Sequence, residues 1–235
     1  MFRHVRLCML FLLLAAGFFP GGLSAASLEQ RVASLQKKYQ QLHSLEFDFA
    51  QAALNSGRLK QGSGNAVFYR TATTGTATGA QGIMRWNYTE PTAQTIINDG
   101  ASLSIYTPED KQLLVSPTQD LESDMTYAMF TGAKNLLDEF AATPGDPRFR
   151  LNEPPPGCEA VLLTPRKPHP QIKRAQIWVA NDHTIRRLFM EDHFGARTEL
   201  TFTNVRLNTL RPGDPQRVRA LRALDLAPGT EVIRQ

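Results

Sequence analysis

Apolar residues along this chain recur first with a helical period and then, from Leu45 onward, at every second position. Leu28, Val32, Leu35, Tyr39 and Leu42 share one helical stripe, with Lys37, Lys38, Gln40 and Gln41 facing away. Ser27-Leu28-Glu29-Gln30 resembles a capping box at its start. The spacing predicts one amphipathic helix over Leu28–His43, whose apolar stripe must lie on something. After it, Leu45, Phe47 and Phe49 alternate with Glu46 and Asp48. Ala66, Phe68 and Arg70 share a face opposite Val67 and Tyr69, and Met84, Trp86 and Tyr88 share one opposite Ile83, Arg85 and Asn87. A period of two is that of strands with unlike faces. Asp99-Gly100 marks a hairpin turn, and Thr107-Pro108-Glu109-Asp110 marks the next, before Lys111–Val115. Later strands are expected over Glu159–Leu163, Ile172–Ala180, Thr184–Glu191 and Arg197–Asn208, joined by turns at Asn181–His183 and Phe194–Ala196. In the last of them the apolar parity shifts from Leu200 and Phe202 to Val205 and Leu207, which predicts a bulge near Thr203–Asn204.

Between the two groups of strands lies Asp120–Ala142, where Met125, Met129, Leu136, Leu137 and Phe140 suggest two short helices broken at Gly132. One long helix, a short helical insert and many strands at hairpin spacing predict a mainly β fold. It would be a large, strongly curved antiparallel sheet, with its few helices all on one face. No linker divides the chain, and Thr71–Ala80 reads as a loop because the strand pattern resumes at once. A single domain over residues 26–235 is expected. A wide curved sheet either fills its concave side with large side chains or leaves a ligand cavity there. The residues expected on that side are Leu45, Phe47, Phe49, Phe68, Met84, Trp86, Tyr88, Ile177, Leu188 and Met190, with Tyr127, Met129 and Phe130 from the insert as a lid. Methionine and aromatic side chains suit a wall that adapts to flexible chains.

The first residues belong to a different kind of segment. Arg3 and Arg6 precede a near-continuous apolar run over Leu7–Phe19, and Ser24-Ala25-Ala26 follows the Pro20-Gly21-Gly22 break. A basic start, a short apolar stretch and a small-residue exit describe a secretory signal peptide over residues 1–25, too short for a comfortable membrane span. Its removal takes Cys8 and leaves Cys158 as the one cysteine of an exported chain. Cys8 stands at the start of the apolar run, far from its small-residue exit, so it is not placed for lipid attachment at a cleavage site. Of 235 residues 42% are hydrophobic and 20% charged, enough apolar material for a substantial core. The net charge of +4 is too mild to argue for nucleic acid, and no such partner is expected. Residues 26–145 carry 9 Lys and Arg against 12 Asp and Glu, whereas residues 146–235 carry 15 against 10, with Arg211, Arg217, Arg219 and Arg222 clustered near the end. This is a solvated surface, or a patch for an acidic partner or anionic headgroups.

Motifs for chemistry are scarce. The sequence has no GxSxG, HExxH, P-loop or GxGxxG pattern, and no enzyme activity, metal or cofactor is expected. Asp182-His183 and Asp192-His193 sit in successive connectors that would form an acid–base or metal site only if they were neighbours, and turn-forming polar residues are the commoner explanation for them. Cys158 follows a Pro-Pro-Pro-Gly run at a strand start, where a buried thiol is expected rather than a nucleophile.

Six segments together carry a resemblance: LEFDFAQ (Leu45–Gln51), GSGNAVFYR (Gly62–Arg70), MRWNYTEP (Met84–Pro91), INDGASLSIYTPEDKQLLV (Ile97–Val115), LLTP (Leu162–Pro165) and TELTFTNVRLN (Thr198–Asn208). Their order and spacing resemble the periplasmic outer-membrane lipoprotein carrier proteins of the LolA type. The resemblance implies an incomplete antiparallel β-barrel, covered by an N-terminal helix and a helical insert, over a hydrophobic cavity for lipoprotein acyl chains. It also implies a monomeric periplasmic carrier that takes lipoproteins from an inner-membrane ATP-driven releasing complex and hands them to an outer-membrane acceptor. Arg70 takes the place of an early-strand arginine that latches the lid. Two departures accompany it. Thr71 stands where the family has proline, with about ten inserted residues before Trp86, and Thr126 stands where proline is frequent in the insert. Competing expectations are a lipid-sensing regulator of an envelope-stress pathway on the same fold, and a periplasmic hydrolase using Cys158 or the histidines.

Overall fold

The computed structural model describes residues 25–70, 82–117, 125–131 and 135–234. The expected signal peptide and the Thr71–Ala80 loop lie outside the described residues. Helix α1 (Ala25–Gln40) leads into β1 (Ser44–Asn55) and β2 (Arg58–Arg70). There follow β3 (Gly82–Glu90), β4 (Gln94–Asn98), β5 (Ser102–Thr107) and β6 (Gln112–Pro117). Two short helices, α2 (Met125–Thr131) and α3 (Leu136–Glu139), precede β7 (Phe140–Pro144), β8 (Cys158–Pro165), β9 (Arg174–Ala180), β10 (Ile185–Glu191) and β11 (Arg197–Leu207). The chain closes with α4 (Pro215–Arg222) and β12 (Glu231–Arg234). The twelve strands of the described residues form one sheet in the order β12-β6-β5-β4-β3-β2-β1-β11-β10-β9-β8-β7. Neighbours are antiparallel except β12, which runs parallel to β6.

The alternation read from the sequence sets the two faces. Leu45, Phe47, Phe49, Ala66, Phe68, Met84 and Trp86 join one large buried cluster with Leu188, Ile177 and the apolar stripe of α1. Residues of opposite parity, Tyr69, Ile83 and Ile97, form a second cluster on the other face. The two halves of the strand series meet where β1 pairs with β11. There the register shifts between Glu46 and Asp48, opposite Thr203–Arg206, and Asn204 adopts φ 49°. The bulge expected near Thr203–Asn204 is therefore present. The glycines of GSGNAVFYR have a steric reason: a Cβ on Gly64 would stand 1.9 Å from the Asn87 carbonyl oxygen, so β2 and β3 meet there only without a side chain.

Three expectations are corrected. Helix α1 ends at Gln40, not His43, because His43 and Ser44 donate their backbone N–H groups to Asn208 Oδ1 and are drawn toward the sheet. Phe140 and Ala142 belong to β7, not to the helical insert. Their backbone pairs with β8 from Phe140↔Pro165 to Pro144↔Val161, a long-range partnership that outweighs the local i, i+4 spacing of Leu136 and Phe140. The helices do not all cover one face. Helices α1, α2 and α3 lie over the large cluster, whereas α4 packs on the opposite face, placing Leu221 against Tyr69, Ile83 and Ile97. Asp214 caps α4 by accepting from the N–H groups of Gln216 and Arg217, and Pro215 opens it. A third apolar cluster, Phe149, Trp178 and Phe189, sits where residues 145–157 fold back over β8 to β10.

Candidate functional site

The site is the concave side of the sheet and the helices over it. Helix α1 contributes Leu28, Val32, Leu35 and Tyr39, all buried. From α2 comes Phe130, which stacks on Tyr39 at 5.9 Å and meets Phe47 and Phe202 at 5.1 and 5.3 Å between ring centroids. Phe47 and Phe49 in turn meet the Trp86 ring edge-on at 5.4 and 4.9 Å, and Tyr88 stands 4.8 Å from Phe49. The helical insert thus drives one phenyl ring into an aromatic row that crosses β1, β3 and β11.

Beside this row lies a cavity of about 280 Å³. Its lining is mostly apolar: Met84, Trp86, Tyr88, Ile96, Leu103, Ile105, Met190 and Leu200, with Gln51, Asn98, Thr126 and Thr198 as polar members. Two of the polar members are committed to local bonds. Gln51 Oε1 accepts from the Tyr88 hydroxyl at 2.7 Å, and Asn98 Oδ1 accepts from the Gly100 N–H at 2.9 Å.

The structure distributes the expected site residues in three ways. Met84, Trp86, Tyr88 and Met190 line the cavity. Leu45, Phe47, Phe49, Phe68, Met129, Phe130, Ile177 and Leu188 belong to the packed cluster around it rather than to its wall. The Tyr127 side chain lies outside the described part of the structure. Ile96, Leu103, Ile105 and Leu200 are wall residues that the sequence reading does not select. The signal is nonetheless in the sequence: the Asp99-Gly100 hairpin sets Ile96 opposite Ile105, and Ile96 also faces Trp86, so all three share one side.

Arg70 ends β2 below the last turn of α1. Its Nη1 donates to the Gln40 carbonyl at 2.7 Å, and its own N–H donates to the His43 carbonyl at 2.8 Å. A guanidinium at the C-terminal end of a helix meets carbonyls that have no helical donor. Partial burial lowers the Arg70 pKa from its ordinary value without threatening its charge. Four further ties join α1 to the rest. Arg31 pairs with Glu159 on β8. Lys38 Nζ donates to the Asp182 carbonyl at 2.5 Å. The Tyr39 hydroxyl accepts from the Ile185 N–H at 3.0 Å, and burial raises its pKa well above the ordinary value. Gln36 Oε1 accepts from the Leu136 N–H at 2.9 Å and joins α1 to α3. The partners in these four ties are 100 or more residues apart, which is why sequence spacing does not disclose them.

The candidate chemistry does not assemble. Asp182-His183 and Asp192-His193 stand at opposite ends of β10, separated by about 20 Å of strand. Each aspartate folds its own turn. Asp182 accepts from Thr184 N and Oγ1, and Asp192 from the N–H groups of Phe194 and Ala196. Cys158 is half-buried, not fully buried; its thiol lies 3.7 Å from the Pro156 carbonyl, and burial pushes its pKa up, away from the thiolate. Among the described residues no helix is long and apolar enough to cross a membrane.

An open, curled antiparallel sheet whose concave side is roofed by helices and holds an apolar cavity defines the class. A family model described as outer membrane lipoprotein carrier protein LolA matches residues 40–213, and the chain belongs to that family. An outer-membrane lipoprotein carrier protein of Chromobacterium violaceum is 25% identical over 205 residues, covering 86% of this chain and 90% of the relative. One of Chromohalobacter salexigens is 26% identical over 190 residues, covering 80% and 79%. Among solved structures, an uncharacterized conserved protein of Thermus thermophilus shares the fold with a TM-score of 0.50 at 10% identity, over 88% of this chain and 98% of that one.

Proposed function

We propose that the protein is a periplasmic carrier that takes up the acyl chains of lipoproteins on its concave side and moves them from the inner to the outer membrane. The observation that carries this reading is the apolar cavity under a roof of helices. Each acyl methylene in water costs about 0.8 kcal/mol, so chains leave a bilayer only for another apolar space. The family membership supports the cargo class, and the N-terminal pattern supports export with removal of residues 1–25. An inner-membrane releasing complex and an outer-membrane acceptor complete the route as its two partners. No covalent step is required of the carrier.

The cavity, about 280 Å³, lies at the lower edge of the range of about 300–1,000 Å³ usual for drug-sized ligands, so several long acyl chains need more room than it offers. Cargo enters by displacing Phe130 and the helices that hold it, and Arg70 with Gln40, Arg31 with Glu159 and Lys38 with Asp182 set how readily the roof lifts. The wall residue Ile105 is half-buried and tests the cavity without removing a core contact. Ile105→Trp fills the space and is expected to reduce binding of an apolar fluorescent probe and of acylated lipoprotein by at least about tenfold, with the unfolding midpoint little changed. Unaltered binding of both by a folded Ile105→Trp protein moves the site elsewhere.

A further inference from the structure

Two hairpins at one end of the sheet carry features that the roofed interior does not use. Phe194 stands at the tip of the β10–β11 hairpin and is 97% exposed, and Leu59, next to the tip of the β1–β2 hairpin, is 56% exposed. These tips are neighbours, because β1 pairs with β11 down to Leu54↔Arg197. His193 Nε2 lies 2.7 Å from the His169 carbonyl and joins the first tip to the β8–β9 connection. Across these three segments, residues 55–60, 166–174 and 191–197, the chain has seven Lys and Arg (Arg58, Lys60, Arg166, Lys167, Lys173, Arg174, Arg197) against Glu191 and Asp192. Both acids are occupied. Glu191 is buried among Lys173, Arg174 and Arg197 at 3.1, 3.1 and 3.5 Å, and Asp192 is turned onto its own backbone. Of the other acids at this end, Glu90, Glu109 and Asp110 belong to the β3–β6 half, while Asp138 and Glu139 precede β7 beside Arg166, which is itself bonded to the Leu137 and Glu139 carbonyls, so the positive excess is concentrated on the two hairpin tips and the Lys167–Arg174 stretch.

We propose that this end, led by Phe194 and Leu59, docks on an anionic phospholipid surface. Single apolar tips ringed by long cations lack the contiguous apolar centre of a protein interface. They match the bilayer interface, where an aromatic ring sits at headgroup level and lysine or arginine meets phosphate. The place is also useful. Met190 and Thr198 face each other across the same hairpin, four residues to either side of Phe194, and both line the cavity. A ring held among headgroups is thus about 13 Å of strand from the apolar wall. Its use in lifting or delivering an acyl chain rests on the carrier reading; the docking itself does not.

The test is sedimentation of the exported form with phosphatidylcholine vesicles, with and without phosphatidylglycerol. Binding is expected only with phosphatidylglycerol, weakening as salt is raised. The pair Leu59→Ser and Phe194→Ser, on exposed sites that do not threaten folding, is expected to weaken it by about tenfold, and Arg58→Gln with Lys60→Gln and Lys167→Gln by a similar factor. Probe binding in the cavity should survive both sets. Equal sedimentation of wild type and the Leu59/Phe194 variant, indifference to phosphatidylglycerol, or association with native membranes but not with pure lipid would each overturn the proposal. Lost probe binding in the wild type beside intact vesicle binding would sink the carrier reading and leave the docking surface standing.

Discussion

Two arginines on adjacent strands do the same job on opposite faces. Arg70 on β2 reaches the last carbonyl of α1, and Arg85 on β3 donates to the carbonyls of Leu221 and Ala223 at the end of α4, at 3.2 and 2.7 Å. Each guanidinium lies partly out of water, and burial lowers the pKa of both. Arginine suits the position because its fork satisfies several helix-end carbonyls and keeps its charge at any working pH. A hydrogen bond to a charged group contributes about 1.5–3 kcal/mol, and half-exposure places Arg70 at the low end. Arg70→Leu is therefore expected to lower stability by about 1.5 kcal/mol in urea unfolding and to raise hydrogen exchange selectively over Lys38–Leu42, with Arg70→Lys in between. Transfer of labelled lipoprotein to acceptor membranes should change with the same ranking. If exchange over that turn stays at the wild-type level, Arg70 is no latch.

On the proposed reading the roof is the element that moves, and one of its ties responds to pH: besides its bond to the Asp182 carbonyl, Lys38 Nζ stands 3.9 Å from the Asp182 carboxylate. Burial pushes the Asp182 pKa up, but the hydrogen bonds from Thr184 and the charges of Lys38 and Arg186 outweigh this, and it falls below the ordinary value. A carboxylate depressed in the folded state adds stability that is present above its unfolded pKa of about 3.9 and is lost as pH falls through the lower folded value. Protection of the C-terminal half of α1, corrected for intrinsic exchange, should hold from neutrality to about pH 5 and decline below about pH 4. Glu191 is depressed too, so the whole molecule weakens in acid, and Asp182→Asn isolates the roof. The variant should show the looser roof at neutral pH and less further loosening on acidification. Much of the element order was legible because burial alternates with period two along Leu45–Phe49, Ala66–Arg70 and Met84–Tyr88, and because Asp99-Gly100 fixes a register. Phe140 misleads because its strand exists only through β8. Strand β12 leaves no pattern, since its tie to β6 is made by backbone and three of its four residues are exposed. The Asp214-Pro215 start of α4 is legible but easily passed over for the charge around it. In the site, same-face parity identifies Met84, Trp86, Tyr88 and Met190, but which inward residues pack and which line a void depends on how the sheet curls, and no local spacing encodes that.

At the scale of the molecule, the proposed function makes cargo and roof compete for one interior. A ligand that binds only the folded form stabilises it, by about 2.7 kcal/mol at a hundred times its Kd. An acylated ligand should therefore raise the unfolding temperature while increasing exchange in α1 and α2. A rise in both stability and roof protection would mean that the ligand fits under a closed roof, against the displacement described above. That opposite response can arise because the sheet has cores on both sides. Tyr69 holds the segment before α4 by donating to the Arg211 carbonyl and accepting from the Asp214 N–H, at 2.8 and 2.9 Å. Near β9 and β10, Arg187 and Glu199 pair at 3.5 Å under the 145–157 segment, where Glu199 also accepts from Leu151 and Asn152. Among the described residues, neither outer apolar cluster draws a member from α1, α2 or α3. The molecule is built like a purse stiffened from outside: if its lining is emptied and refilled as proposed, the seams that keep its shape run along the back and need not open.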